Sequence, residues 1–511
     1  MSAKRIFITC ILWLGLTITI LAQNGPVTNP LLYSQQAVEL GDVFISHDPV
    51  TMVMPGVALG TGFGSYLDNP ASAALFRRSY GSFGFVYRNA DEMNTYLGNR
   101  SSMTDSQAGI NNLGFVYSIP TAQGSLVLGA GYAQHSFFNR AMSVNGRNNL
   151  NTITDAFKFP GSYYGDIAFN TYAIDYGDEF EDWDESIFRI GFAPGTFPGI
   201  TQDAEITQRG HSGEYSAFLA TEFQQNLMVG VSLGVFSTNY RYDRVFLEVD
   251  QFNDYDGDFI DTGSGGSDVD SILLTDKIRS SGLGFRMRAG VLYKASDWFH
   301  IGASYTLPTR VTVEELYDSR IRTTFDNGVE FSDDISGEFE YKFVSPSRFS
   351  AGVAMPNLGP FTISASAEYV NHSKTKIEFN NDLFEEERIE NREILNNYTD
   401  VWNLRGGIAY DVNPEFTIRG GYAFYPSKFI NGSDDKSVIS AGLGFAVSRD
   451  TRFEIGAQYS MWSERSSLYR FAEYDYSPLP NDVPNFTIRD QAVNNDVSRL
   501  QIMAALRIRL D

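Results

Sequence analysis

The stretch that decides the fold runs from Leu283 to Tyr305. It reads Leu283-Gly-Phe-Arg-Met-Arg-Ala-Gly-Val-Leu-Tyr293, then Lys294-Ala-Ser-Asp-Trp-Phe-His300, then Ile301-Gly-Ala-Ser-Tyr305. In its first part Leu283, Phe285, Met287, Ala289, Val291 and Tyr293 share one parity and carry no charge, while Gly284, Arg286, Arg288 and Gly290 take the other. A period of two marks a β-strand with two chemically different faces. The apolar face is about ten residues long, which at a tilt of about 45° is the length that crosses a bilayer.

The same alternation recurs. Phe361, Ile363, Ala365, Ala367 and Tyr369 alternate with Thr362, Ser364, Ser366 and Glu368. Phe416 to Phe424, Phe453 to Met461 and Leu500 to Leu510 repeat it, each with an uncharged face opposite one carrying Arg, Glu, Gln or Gly. A charge at mid-depth on a lipid face would cost about 2–4 kcal/mol, which accounts for the uncharged side. A secreted β-sandwich also alternates, but with shorter strands. The links separate the two. Fourteen strands are expected at about 80–88, 111–119, 124–138, 213–223, 226–250, 270–294, 297–318, 335–355, 360–380, 398–411, 414–427, 434–448, 451–464 and 496–510. Tight turns at 120–123, 223–225, 295–296, 356–359, 412–413 and 449–450 alternate with long links at 89–110, 139–212, 251–269, 319–334, 381–397, 428–433 and 465–495. Short turns on one side and long loops on the other, with an even strand count, predict an all-β, 14-stranded antiparallel transmembrane β-barrel over 80–511. The lumen face mixes charges with Gly and Ala, unlike an open water pore. About 57 residues between residue 22 and the first strand are enough to plug it.

Composition agrees. The chain has 511 residues, 39 Lys+Arg against 62 Asp+Glu, a net charge of −23, 39 Phe and 28 Tyr. The acid excess argues against nucleic-acid binding, which needs basic patches for phosphates. Lys4 and Arg5, the apolar run Ile6–Leu21 and the small Ala22 read as an export signal over 1–22. Its removal takes away Cys10, the only cysteine, and with it disulfide, thiolate-metal and thiol-nucleophile chemistry. An apolar run of about 16 residues is short for a membrane anchor. The outer membrane of a Gram-negative-type envelope is the expected location.

Three regions resemble the FadL-type long-chain fatty-acid and hydrocarbon transporters. They are Gly56-Val-Ala-Leu-Gly60 followed by Asp68-Asn-Pro-Ala71 and Ser82-Phe-Gly-Phe-Val-Tyr87; Gly284 to Tyr305; and Asn403 to Tyr410 with Ile418 to Phe424. The resemblance implies an N-terminal hatch within 23–79, closed by the Asn69-Pro70-Ala71 tripeptide just before strand one. Passive uptake of a hydrophobic small molecule into a lumen site above the hatch is implied, with lateral exit through a gap where the third strand bends inward. The candidate ligand residues are Phe63, Asn69, Pro70, Ala71, Phe137 and Phe138. Gly129 and Gly131 are the candidate bend. About thirty residues, Gln23 to Val53, precede the hatch-like stretch.

Other features weigh less. Arg286, Arg288, Arg405, Arg419 and Arg452 sit on inferred lumen faces; Arg286 and Arg405 are the candidates for holding a carboxylate head group, against the plainer expectation of pairing with inward acids such as Glu368 and Glu454. Seven acids between Asp175 and Glu185 read as a solvated loop, with divalent-cation binding as the alternative. Asp254, Asp256, Asp258 and Asp261 repeat oxygen ligands, but Phe259 replaces the glycine a calcium loop needs. His47, His135, His211, His300 and His372 form no local cluster. No metal, cofactor or enzymatic activity is expected. The partners expected are the solute and outer-membrane lipid. A rival reading keeps the barrel and makes it a protein-interaction or secretion accessory with an envelope protein partner; another, a lipid hydrolase, would need a Ser–His pair at the rim.

Overall fold

The computed structural model describes residues 27–44, 47–158, 162–177, 180–190, 197–255, 260–261, 266–380, 382–475 and 485–510. The expected export signal lies outside them, as do Asp256 and Asp258.

Fourteen wall strands follow in chain order. They are β1 Tyr80–Tyr96, β2 Asn99–Ile119, β3 Leu126–Phe137 resuming as Arg140–Asn148, β4 Ile200–Gln224, β5 Leu227–Val249, β6 Val269–Ser296 and β7 Phe299–Thr306 resuming as Thr309–Phe325. Then come β8 Glu330–Ser345 resuming as Arg348–Leu358, β9 Phe361–Asn371 with Lys376–Glu378, β10 Asp400–Asn413, β11 Phe416–Tyr425, β12 Lys436–Ala446, β13 Thr451–Asp475 and β14 Asn485–Arg509. Each pairs antiparallel with its neighbour, and β14 closes on β1 from Tyr80↔Arg509 to Thr95↔Asn494. Closing the sheet on itself is the β solution available in hydrocarbon, where open edges are not tolerated.

The parity is as read from sequence. Leu283, Phe285, Met287 and Val291 point outward while Gly284, Arg286 and Arg288 are buried, and Phe285 is 83% exposed. Such exposure of a phenylalanine amid Leu233, Tyr215 and Ile439, themselves 59–61% exposed, fits lipid and not water.

Several strand ends differ from expectation. The expected loop 89–110 is a continuation of the β1–β2 hairpin, closed by Leu97 and Gly98, both at positive φ (47° and 86°). The 139–212 link shrinks because β3 resumes over Arg140–Asn148 against an earlier start of β4. Residues 319–325, 330–334, 465–475 and 485–495 of the expected links are likewise strand, and 381–397 holds the helix Phe384–Asn397. The reason is common to all. Above the bilayer the outer sheet face meets water and no longer lipid, so Asn89, Asp91, Thr104 and Ser106 hydrogen-bond across strands there with no apolar period to announce them. Among the described residues no helix is long and apolar enough to cross a membrane, which says nothing about strands.

The lumen is filled from within. Val27–Thr28 pairs in parallel with Arg465 and Ser466 on β13, high in the barrel. The helix Tyr33–Gly41 follows, its Tyr33 ring packed on Tyr341, Phe339 and Phe379 at 4.9, 5.3 and 5.4 Å. The chain then descends to a compact lower tier, the helix Ser65–Asp68 and the 3-10 helix Pro70–Leu75, before entering β1. Residues 27–44, ahead of the hatch-like stretch, thus form its upper storey.

Candidate functional site

The lower tier is anchored by buried charge. Asp48 accepts from Val50 N (2.7 Å), Gly64 N (2.6 Å) and Thr51 Oγ1 (2.9 Å), folding the segment on itself. Asp68 accepts from Gly56 N (2.7 Å) and from Arg405 Nη1 on β10 (3.4 and 3.5 Å to its two oxygens), and Arg405 also donates to Thr51 O. Arg288 grips Glu214 bidentately (2.7 and 2.8 Å), and His135 Nε2 lies 3.1 Å from the same carboxylate. His47 of the plug meets His135 of β3 with ring centroids 5.0 Å apart. This corrects the expectation that the histidines stay apart; the pairing joins residues 88 positions distant, beyond the reach of local spacing. Among the described residues no group of His, Cys, Asp or Glu could hold a metal.

Small residues in the wall receive the plug. Gly114 of β2 and Gly131 of β3 face the Phe63 ring; a Cβ at Gly131 would lie 2.6 Å from Phe63 Cζ. At Gly230 it would meet Ala71 N and Pro70 C at 2.5 Å. Only glycine admits backbone and ring this close.

The candidate ligand residues therefore divide. Asn69 caps the 3-10 helix, accepting from Ala71 N (3.0 Å), and donates to Val57 O (2.7 Å) and Val291 O (3.0 Å). With Pro70, Ala71 and Phe63 it is buried against the wall, away from the upper cavity. Arg405 is engaged as above. Arg286 stacks on Phe236 (4.2 Å) with Nε donating to Thr309 Oγ1 (3.3 Å). Arg419 and Arg452 share Glu454 at 2.7 Å each, the pairing with inward acids that was the plainer expectation. Phe138 does line the cavity, and Phe137 supports it from behind.

That cavity, of about 100 Å³, lies between the upper tier and the wall, bounded by Phe138, Tyr240, Tyr398, Phe429, Trp462 and Arg499. One side is a stack of cations and rings: Arg88 over Phe137 (4.3 Å), Phe137 under Arg499 (4.2 Å), Arg499 against Trp462 (5.1 Å), and Lys436 over Trp462 (4.7 Å). The Nε atoms of Arg88 and Arg499 are buried without a hydrogen-bond partner. The sequence reading missed Arg499 although it shares inward parity with Gln501 and Met503 on the strand expected there.

The pairing of β3 is interrupted above Gly129 and Gly131, within the stretch from Gly129 to Phe138 where the bend is expected. Both glycines sit in unbroken ladders, Gly129 opposite Val116 and Phe218, Gly131 opposite Gly114 and Ser216. Pairing of β3 with β2 ends at Ala133↔Asn112, the register with β4 shifts between Gln134 and Ser136, and Ala133 to Asn139 are all buried. Above Asn112, β2 has no further ladder on this side among the described residues. The two glycines serve instead as close-contact sites for Phe63 and Phe218. Side chains bridge the interruption: Arg209 of β4 reaches Asp105 of β2 (Nη2 2.7 Å, Nε 3.1 Å), and Asn139 Nδ2 donates to the same carboxylate (2.6 Å). Tyr240 lines both the inner cavity and an outer groove beside this window.

The comparisons with known proteins fit this geometry. Residues 223–478, half of the chain, match the family model of the outer membrane protein transport protein (OMPP1/FadL/TodX). The Pseudomonas putida toluene transporter TodX has the same fold at 12% identity, covering 91% of this chain and 99% of that one, with a TM-score of 0.51. The TodX deltaS2S3 mutant monoaromatic hydrocarbon channel matches with the same identity, coverages and TM-score. No curated protein sequence matches the chain.

Proposed function

The chain belongs to the outer membrane protein transport protein family (OMPP1/FadL/TodX), and from that premise we propose that it is a passive outer-membrane channel that takes up hydrophobic small molecules and releases them sideways through the barrel wall. The observation that carries this reading is the coincidence of the aromatic cavity with the interruption between β2 and β3. A solute resting on Phe138, Tyr240 and Trp462 lies beside a wall interruption that side chains bridge, Asp105 with Arg209 and Asn139, and Asn99 with Asn145 O. Burial supplies about 0.8 kcal/mol per methylene, and an outlet into lipid keeps that gain throughout.

Arg499 and Lys436 would meet a carboxylate head group, in place of Arg286 and Arg405, which the plug and wall already engage. The exported form begins after residue 22 on this reading. The chemistry is transfer without bond changes, in keeping with a family of transport proteins. The test is uptake of a radiolabelled long-chain fatty acid and of labelled toluene by cells with and without the gene. Gene-dependent uptake of either, reduced by Phe138→Asp in the cavity wall, is expected; equal uptake of both solutes by the two strains would refute the reading.

A further inference from the structure

Three arginines stand in one rung of the wall. Arg209 of β4 is the register partner of Arg241 of β5, and Arg241 is the partner of Arg279 of β6. All three are exposed on the outer face. Like charges directly opposite destabilise a sheet, and here the conflict occurs twice in succession in a chain whose net charge is −23. Neighbouring acids answer it only at the ends. Arg209 has Asp105 at 2.7 Å, and Arg279 has Asp243 at 3.7 Å. Arg241, in the middle, has no hydrogen bond or ion pair among the described residues.

The rung stands at a definite depth. On β5 the outward residues Val229, Val231, Leu233 and Val235 form the apolar band, Ser237 ends it, and Arg241 lies four positions further on. At about 3.3 Å per residue and a tilt of about 45°, that is roughly 9 Å above the band, the level of lipid head groups. The three arginines line an outer groove of about 1030 Å³, whose far side on β7 and β8 carries Glu314, Glu338 and Glu340. Lower on β2 to β6 is a second outer groove, of about 840 Å³. Its floor holds Ala130, Gly131, Ala217 and Gly234, and Phe115, Tyr215, Leu233 and Phe285 rise around it. A cationic seat at head-group level on β4 to β6, over an apolar trough at tail level that spans β2 to β6, has the outline of a phosphorylated lipid.

We propose that this face is a binding site for a phosphate-bearing lipid of the outer leaflet, of the lipid A class. Its phosphate is seated over Arg241 between the flanking guanidiniums, and an acyl chain lies in the trough across Ala217. The site shares Arg209 and its groove with the outlet proposed above, while lipid binding is read without reference to the solute that the lumen carries.

The experiment uses the full mature chain in non-ionic detergent, with native mass spectrometry and thermal melting as readouts. The probes are bis-phosphorylated lipid A, the same lipid stripped of phosphate, and inorganic phosphate. Arg241→Gln is expected to weaken lipid A binding about tenfold, the loss of one charge-assisted contact; Arg241→Lys retains most of it, and Ala217→Trp, which fills the trough, weakens it separately. Without lipid, Arg241→Gln should melt at or above the wild type, because the like-charge row is relieved; with lipid A the order reverses. Equal binding by wild type and Arg241→Gln, equal binding of the stripped lipid, or displacement of lipid A by inorganic phosphate at equal concentration would each overturn the proposal. So would a lower melting point for Arg241→Gln in lipid-free detergent, which would make the arginine a structural residue.

Discussion

Arg405→Met tests whether buried charge holds the plug in the barrel. Asp68 and Arg405 have side chains 2% and 6% exposed. Removing the guanidinium leaves a buried carboxylate whose one remaining close donor is Gly56 N at 2.7 Å, with His47 Nε2 at 3.9 Å. Breaking a buried pair from one side costs about 3–5 kcal/mol. The Arg405–Asp68 contacts are long, at 3.4 and 3.5 Å, which points to the lower end of that range. A cost of about 3 kcal/mol raises the undocked population roughly 150-fold. Hydrogen exchange of the backbone amides of residues 48–76, read by mass spectrometry in detergent micelles, should accelerate by that order, while the β13–β14 ladder stays protected. Planar-bilayer recordings should show brief water-filled openings. The double variant Arg405→Met/Asp68→Asn removes both charges and should recover most of the loss. Unchanged exchange in the single variant, or a double variant as loose as the single, would refute the claim that this pair fastens the plug.

Other outcomes follow from the same geometry. Gly131→Ala places a methyl 2.6 Å from the Phe63 ring; it should destabilise by about 1–3 kcal/mol, read as a lower melting midpoint, and Phe63→Leu in the same chain should restore part of it. Asp105→Asn weakens the clasp across the β2–β3 interruption; because Arg209 is 59% exposed the pair is worth at most about 1 kcal/mol, so uptake should rise by up to about fivefold, and a fall would count against the window as the outlet. In the loop above the barrel, burial pushes the Asp155 carboxyl up, but Lys158 at 3.0 Å and Arg189 at 2.6 Å hold it down to about 2. A carboxyl depressed in the folded state contributes fully above its unfolded value near 3.8 and loses that contribution as pH falls toward 2. Proteolysis of the 150–190 loop should therefore increase between pH 4 and pH 2 in the wild type and stay flat in Asp155→Asn.

What could be read from sequence follows the solvent. Within the bilayer, lipid forbids charge on one face, so the alternation of Leu283 to Tyr293 or Phe361 to Tyr369 fixes strand, face and span together. Above the bilayer that constraint disappears. Leu97 and Gly98 close the β1–β2 hairpin without the Asn-Gly signature such turns favour, so the hairpin looked like a loop. The site was harder for another reason. Arg405 meets Asp68 across 337 positions and Arg288 meets Glu214 across 74. Inward parity identified these arginines as lumen residues but could not say which acid each would find. Arg499 had the same parity and no acid within hydrogen-bonding reach, a difference visible only once the strands are in register.

The route of a solute through this barrel is decided by comparing two costs. Downward passage would have to undo the Asp68–Arg405 pair and pull Phe63 from between Gly114 and Gly131. Breaking that buried pair costs about 3 kcal/mol, and withdrawing a buried phenylalanine adds about 2 kcal/mol. Sideways passage meets Tyr240, the half-exposed Arg209–Asp105 contact worth about 1 kcal/mol or less, and the buried Asn139–Asp105 hydrogen bond worth about 1 kcal/mol. At RT near 0.6 kcal/mol a difference of about 3 kcal/mol favours the lateral path by more than a hundredfold. The plug then serves to close the vertical path, and its depth, from Val27 beside β13 down to Leu75, is what makes the wall the easier exit. Locking the clasp side while leaving the plug intact should therefore stop uptake, whereas loosening the plug with Arg405→Met should add an ion leak without increasing the transfer of apolar solute into the membrane.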